Sequence, residues 1–171
     1  MSLKLLDMKK IIGLFIFMGL LSATSVRAQN YNTKCLGISA GYMFDTENIQ
    51  AGVFMHLPFA KNWRVVPSVN YTFSHHGLNE WEINGNIHYL IPFAGRFSVY
   101  PLAGIAFQSW RGNALQNDKE LSNTRNKFGI NAGAGFEMNI SRHLNLHIEG
   151  IYIFINDFNQ ANISIGLGYK F

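Results

Sequence analysis

The stretch Ala161-Asn162-Ile163-Ser164-Ile165-Gly166-Leu167-Gly168-Tyr169-Lys170-Phe171 decides how this chain is read. Ala161, Ile163, Ile165, Leu167, Tyr169 and Phe171 alternate with Asn162, Ser164, Gly166, Gly168 and Lys170. A period of two puts one set on each face of a β-strand. The apolar set closes on an aromatic pair, and the intervening set is small or polar.

The same alternation runs upstream as far as Lys34, interrupted by turn residues and without a helical period. It predicts eight strands at about 34–44, 48–57, 63–74, 80–91, 96–109, 127–139, 144–155 and 161–171. Leu36, Ile38, Ala40, Tyr42 and Phe44 share one face of the first; Ile49, Ala51, Val53, Met55 and Leu57 do so on the second. Such a pattern suits a soluble barrel with the apolar face inside or a membrane barrel with it outside. The opposite face decides between them. It carries Gly37, Gly41, Gly52, Gly104, Gly129, Gly133, Gly135, Gly166 and Gly168, with Ser and Asn between, and only 14% of the chain is charged. A solvated exterior would be rich in Lys and Glu, whereas small residues suit the crowded interior of a narrow barrel. The apolar face is therefore assigned to lipid.

Aromatic residues fall at both ends of the strands if these run antiparallel. Trp63, Tyr89, Phe93, Phe97, Phe136, Tyr169 and Phe171 mark one rim; Tyr42, Phe44, Tyr71, Phe73, Trp81, Phe107, Trp110, Phe128, Tyr152 and Phe154 mark the other. Two such girdles are what the interfaces of a bilayer select. The connections Pro58 to Asn62, Pro92 to Gly95 and Ile140 to His143 are short and read as periplasmic turns. Asp45 to Glu47, Ser74 to Asn79, Ile155 to Gln160 and the long polar segment Trp110 to Asn126 are assigned to the outside.

The front of the chain reads differently. Met8-Lys9-Lys10, the uncharged run Ile11 to Leu21, and Val26 and Ala28 before Gln29 have the form of a secretory signal peptide over residues 1–28. The barrel domain is then 29–171, and Met8 is an alternative start. Lys4, Lys9, Lys10, Arg27 and Asp7 leave with the signal, so the mature part holds 10 basic and 9 acidic residues. The basic balance is thus no argument for a nucleic-acid partner. The single cysteine, Cys35, excludes an internal disulfide framework, and no lipobox precedes it.

With these residues in place the chain resembles the small eight-stranded bacterial outer-membrane β-barrels, the OmpA-type transmembrane domain and its stand-alone relatives. The resemblance rests on Ile163-x-Ile165-x-Leu167-x-Tyr169-x-Phe171 and on Arg96-Phe97-Ser98-Val99-Tyr100-Pro101-Leu102-Ala103-Gly104-Ile105-Ala106-Phe107, which is similar to the fifth strand of many such domains. It implies an all-β, eight-stranded antiparallel up-and-down transmembrane β-barrel in the cell outer membrane, surrounded by lipid and monomeric. It also implies that Ile163, Ile165, Leu167, Tyr169 and Phe171 are recognised by the barrel-assembly machinery. The peptidoglycan-binding domain of longer relatives is not expected after Phe171. Pro67 and Pro101 remove ladder donors, so a bulge or weakened ladder is expected at each.

The inward face carries His56, Arg64, Glu82, His88, Glu137, His147, Glu149 and Lys170. Buried charges need partners, so Arg64 and Lys170 are expected near Glu137 or Glu149. Arg64, Glu82, Glu137, Glu149 and Lys170 form either a structural network that fills the lumen or the constriction of a narrow pore. A lipid-modifying enzyme is the third reading. Small outer-membrane deacylases resemble one another in a His-x-Ser pair, and no His-x-Ser occurs here. His147-x-Glu149 lacks a partnered nucleophile, and His75 and His76 point apart on extended chain, so no catalytic, metal or cofactor site is assigned. Gly129 to Gly135 lies inside an alternating strand with no helix after it, which excludes a nucleotide loop. The sequence therefore favours a structural or surface-interaction protein, with the loop 110–126 as the site for an extracellular ligand.

Overall fold

The computed structural model describes residues 33–73, 78–114, 121–156 and 159–171, and for 78–79, 110–114 and 121–125 the backbone alone. The expected signal segment, the His75–His76 pair and residues 115–120 lie outside that description. Nine strand segments follow in order: β1 (Cys35–Met43), β2 (Asn48–Ala60), β3 (Trp63–Phe73), β4 (Leu78–Tyr89), β5 (Ile91–Ala94), β6 (Phe97–Ala114), β7 (Leu121–Asn139), β8 (Leu144–Ile155) and β9 (Gln160–Lys170). Each pairs antiparallel with its neighbours, β1 meets β9, and β4 meets β6, so the sheet closes on itself. Closure of the barrel wall leaves no open edge there, the condition for crossing lipid with strands. β5 continues the line of β4 along β6: Ile91 opposite Val99 keeps the register of His88 opposite Leu102. The barrel therefore has eight staves, as the alternation predicts.

Both prolines interrupt a ladder without shifting it. Pro67 pairs with Gly85 on β4, yet pairing to β2 lapses between Phe54–Ser68 and Leu57–Val65. Pro101 pairs with Ala134 on β7, and on its other side the break between β4 and β5 falls at Leu90. The missing N–H is the common cause. Register does slip, but at Pro58/Ala60 and Pro92/Ala94, where the chain bends into periplasmic turns. Gly95 supplies a φ of +54° in the second of these turns, a conformation that costs glycine little.

The polar segment 110–126 is not the long loop that the sequence predicts. Strand pairing continues from Ser109–Asn126 through Trp110–Arg125 and Arg111–Thr124 to Ala114–Leu121. β4 follows the same extension, with Leu78 opposite Gly112. The residue types no longer alternate along this extension, yet the ladder persists.

The two faces divide as a bilayer requires. Ile38, Ile105 and Phe128 are 65%, 66% and 76% exposed on the outside, whereas Arg64, Glu82, His88, Asn131 and Glu137 are buried inside. Girdle aromatics touch across strands: Trp63 meets Tyr89, and Phe93, Phe97 and Phe136 cluster at one rim; Tyr71 meets Trp81 and Phe107 meets Phe128 at the other. β8 keeps its in–out alternation to its outer end, but there the inward positions are apolar too: Ile151, Ile153 and Ile155 lie between outward Tyr152 and Phe154.

Candidate functional site

The interior is where the sequence places ionisable groups, and three layers of side chains fill it. Nearest the periplasmic end, Asn139 Oδ1 accepts hydrogen bonds from Lys170 Nζ and from Asn145 Nδ2. Among the described residues Lys170 makes no carboxylate ion pair; its expected place beside Glu137 or Glu149 is taken by this amide.

The next layer is built around Arg64. Its Nη1 donates to Glu137 Oε2 at 2.5 Å and stands 3.1 Å from His56 Nδ1. Its Nε and Nη2 lie 3.3 and 3.2 Å from His88 Nδ1. A guanidinium offers only donors, so each facing Nδ1 acts as the acceptor and the ring proton belongs on Nε2. Arg64 also lies over the Tyr100 ring, with Cζ 4.9 Å from its centroid, and Tyr100 stacks on His88 at 4.6 Å. Tyr100 Oη donates to Glu149 Oε2 at 2.9 Å, and His88 Nε2 stands 3.7 Å from that oxygen. One cation on β3 thus holds two imidazoles, a phenol ring and a carboxylate drawn from four other strands. His147 packs edge-on against Phe54 at 4.7 Å.

Glu82 belongs to a separate layer toward the outside. Its Oε1 accepts from Asn70 and Asn84 Nδ2 at 3.0 and 2.6 Å, and its Oε2 from Gln108 Nε2 at 2.9 Å. Gln108 also donates to Gln160 Oε1 at 2.5 Å, and Asn131 bridges Asn84 and Asn86 at 2.9 Å each. This amide belt spans the lumen from β9 through β6 and β4 to β7. Leu102, Ala106, Ile151, Ile153 and Ile155 pack as an apolar cluster beside it. Between the Arg64 layer and the belt remains a cavity of about 30 Å³, lined by His56, His147, Glu149 and Asn86 among others. That is room for about one water.

Glycines explain how so much fits. A Cβ on Gly135 would enter the Tyr100 ring, one on Gly166 the His147 ring, and one on Gly37 the Phe54 ring. Each large inward ring lies over a bare stretch of a neighbouring strand. Reading ionisable residues alone misses Tyr100, Phe54 and the amide belt. Their signal was available: Tyr100 sits in the inward register of its strand, between Ser98 and Leu102. Among the described residues no group of three His, Cys, Asp or Glu is placed to hold a metal ion.

Known proteins share this architecture. The profile described as outer membrane protein beta-barrel domain matches residues 17–171. Among solved structures, the N-terminal β-barrel domain of Pseudomonas aeruginosa OprF aligns with a TM-score of 0.70 and 14% identity, over 84% of this chain and 100% of that one. Neisserial surface protein A aligns at 0.63 and 9% identity, over 81% and 95%. The attachment invasion locus protein Ail of Yersinia pestis aligns at 0.60 and 16%, over 81% and 97%. At such identities the likeness is one of fold. No curated protein matches the chain.

Proposed function

Because the chain belongs to the outer-membrane β-barrel domain family, we propose that it is a structural and surface-interaction protein, a sealed monomeric barrel that carries the β6–β7 hairpin as its working surface. One observation supports this reading: hydrogen-bonded side chains cross the lumen in the Arg64 layer and the amide belt, and a cavity of about 30 Å³ lies between them. Eight strands leave a lumen narrow enough for such side chains to fill. A narrow pore would need Arg64, Glu82, Glu137, Glu149 and Lys170 to line open space, whereas Arg64, Glu137 and Glu149 are hydrogen-bonded across it, Glu82 is held by Asn70, Asn84 and Gln108 on its own and adjacent strands, and Lys170 caps one end. The lack of a His-x-Ser pair supports a non-enzymatic role. Ile163, Ile165, Leu167, Tyr169 and Phe171 all face lipid on β9 and supply the surface for the insertion machinery. Any extracellular ligand meets the hairpin that rises from Ser109 and Asn126.

Single-channel recording of the refolded chain in planar bilayers tests the proposal. A silent bilayer, with insertion verified separately, is the expected result. Discrete steps that change with Glu149→Gln or Arg64→Gln would overturn it in favour of a charge-lined pore. Release of acyl chains from labelled lipopolysaccharide would overturn it in favour of an enzyme.

A further inference from the structure

Among the described residues the exposed carboxylate side chains lie only at the outer end of the barrel, and the periplasmic rim carries cationic side chains alone. The part after residue 28 carries 10 basic and 9 acidic residues, a nearly even balance. Yet Lys34, Lys61, Arg96 and Arg142 are all exposed at the periplasmic rim, one at the entry to β1 and one on each of the three periplasmic turns. Among the described residues no exposed Asp or Glu shares that rim. Glu80, Glu82, Glu137 and Glu149 are buried, and Asp45 and Glu47 lie on the outer turn between β1 and β2. The outer Lys127 is tied to the Asn156 carbonyl at 3.0 Å.

The ring is held at one height. Phe171 N bonds Lys34 O, Leu90 N bonds Asn62 O, Asn139 N bonds Arg96 O, and Lys170 N bonds His143 O, at 3.1, 2.8, 2.8 and 2.8 Å. Every cation-bearing connection is thereby pinned, at or beside its charge, to an adjacent strand end. Immediately toward the membrane lie the outward Trp63, Tyr89 and Tyr169, the aromatic level that marks the interface. Cations just beyond that level sit where phospholipid phosphates lie, and long basic stems reach such groups while their methylenes stay against apolar surface.

We propose that the periplasmic rim is a binding surface for anionic phospholipid headgroups, gathered around the barrel by Lys34, Lys61, Arg96 and Arg142. The spacing of the charges favours a leaflet over a macromolecular partner. They occupy every connection around the circumference, and a planar layer of phosphates meets all four, whereas a compact protein meets one arc. Arg96 and Arg142 add planar guanidinium forks that suit phosphate oxygens.

Trp63 stands at this rim and Trp81 at the opposite one, and the chain has three tryptophans. Trp81→Phe with Trp110→Phe leaves Trp63 as the reporter; Trp63→Phe with Trp110→Phe leaves Trp81. Each protein is refolded into phosphatidylcholine vesicles that contain a minor fraction of chain-brominated phosphatidylglycerol or, in parallel, chain-brominated phosphatidylcholine. Trp63 is expected to be quenched roughly two- to five-fold more by the anionic lipid at low salt, and equally by both at about 1 M salt. Adding Lys34→Gln, Lys61→Gln, Arg96→Gln and Arg142→Gln should abolish the preference, and Trp81 should show none. Equal quenching of Trp63 by both lipids at low salt overturns the proposal. So does a preference that survives the four replacements or 1 M salt, or one that is equally strong at Trp81. Should the fourfold variant fail to insert, the salt comparison on the protein with its charges intact decides.

Discussion

Arg64 and Glu137 meet inside the barrel with Nη1 2.5 Å from Oε2, their side chains 5% and 2% exposed. β3 and β7 are not neighbours in the sheet, so this pair joins walls that no ladder connects. It is the centre of a layer that crosses the lumen, and His56, His88 and Tyr100 are arranged on the same guanidinium.

Removing one member strands the other charge in a closed interior. Arg64→Gln or Glu137→Gln is therefore expected to cost about 3–5 kcal/mol. The double replacement should cost clearly less than the sum, since it removes both charges at once. Urea unfolding in lipid vesicles, followed by tryptophan fluorescence, measures all three. Additive losses would show that the two groups do not act on each other.

Glycine positions should differ sharply by face. Gly135→Ala drives a methyl into the Tyr100 ring, an overpacking expected to cost about 1–3 kcal/mol. Gly150 faces outward with nothing within 4 Å of a Cβ, so Gly150→Ala should stay within about 0.5 kcal/mol of the parent. Gly135→Ala should cost less in a Tyr100→Ala background than in the parent, because no ring then meets the added methyl. The temperature at which the folded band is lost on a denaturing gel separates these cases, and equal behaviour of the two glycines would contradict the inward placement of Tyr100.

Pro101 leaves one backbone donor missing beside Leu90, where the fourth stave breaks. Pro101→Val restores that donor and fits an outward, lipid-facing position. A gain of about 0.5–1.5 kcal/mol is expected, together with slower amide exchange around Leu90. A loss of stability would mean that the break is required by the bend rather than caused by the proline.

The hairpin that extends β6 and β7 makes a proteolytic prediction. Arg111 and Arg125 lie in the ladder, opposite Thr124 and Trp110, and paired backbone resists a protease. Trypsin acting on the folded protein should spare both arginines, as read by mass spectrometry of the fragments. Rapid cutting at Arg111 or Arg125 would return the whole 110–126 segment to an unpaired loop.

Strand positions, the choice of face, the two girdles and the turn sites were all readable from the residues. They depend on period-two alternation and turn chemistry, which act between near neighbours in the chain. Where that local signal fades, reading failed: Asn113 and Ser122 look like loop residues because no apolar alternation runs through them, yet they are paired. Inward register also marked Arg64, Glu82, Glu137, Glu149 and Lys170 as interior groups. Only closure of the barrel decided which of them meet. Arg64 reaches Glu137 across 73 positions of sequence, Glu82 turns to Asn70, Asn84 and Gln108, and Lys170 finds Asn139. Such partners are set by the stagger between strands and by the bare glycines that admit Tyr100, His147 and Phe54. Both are properties of the assembled wall, and no single strand carries them.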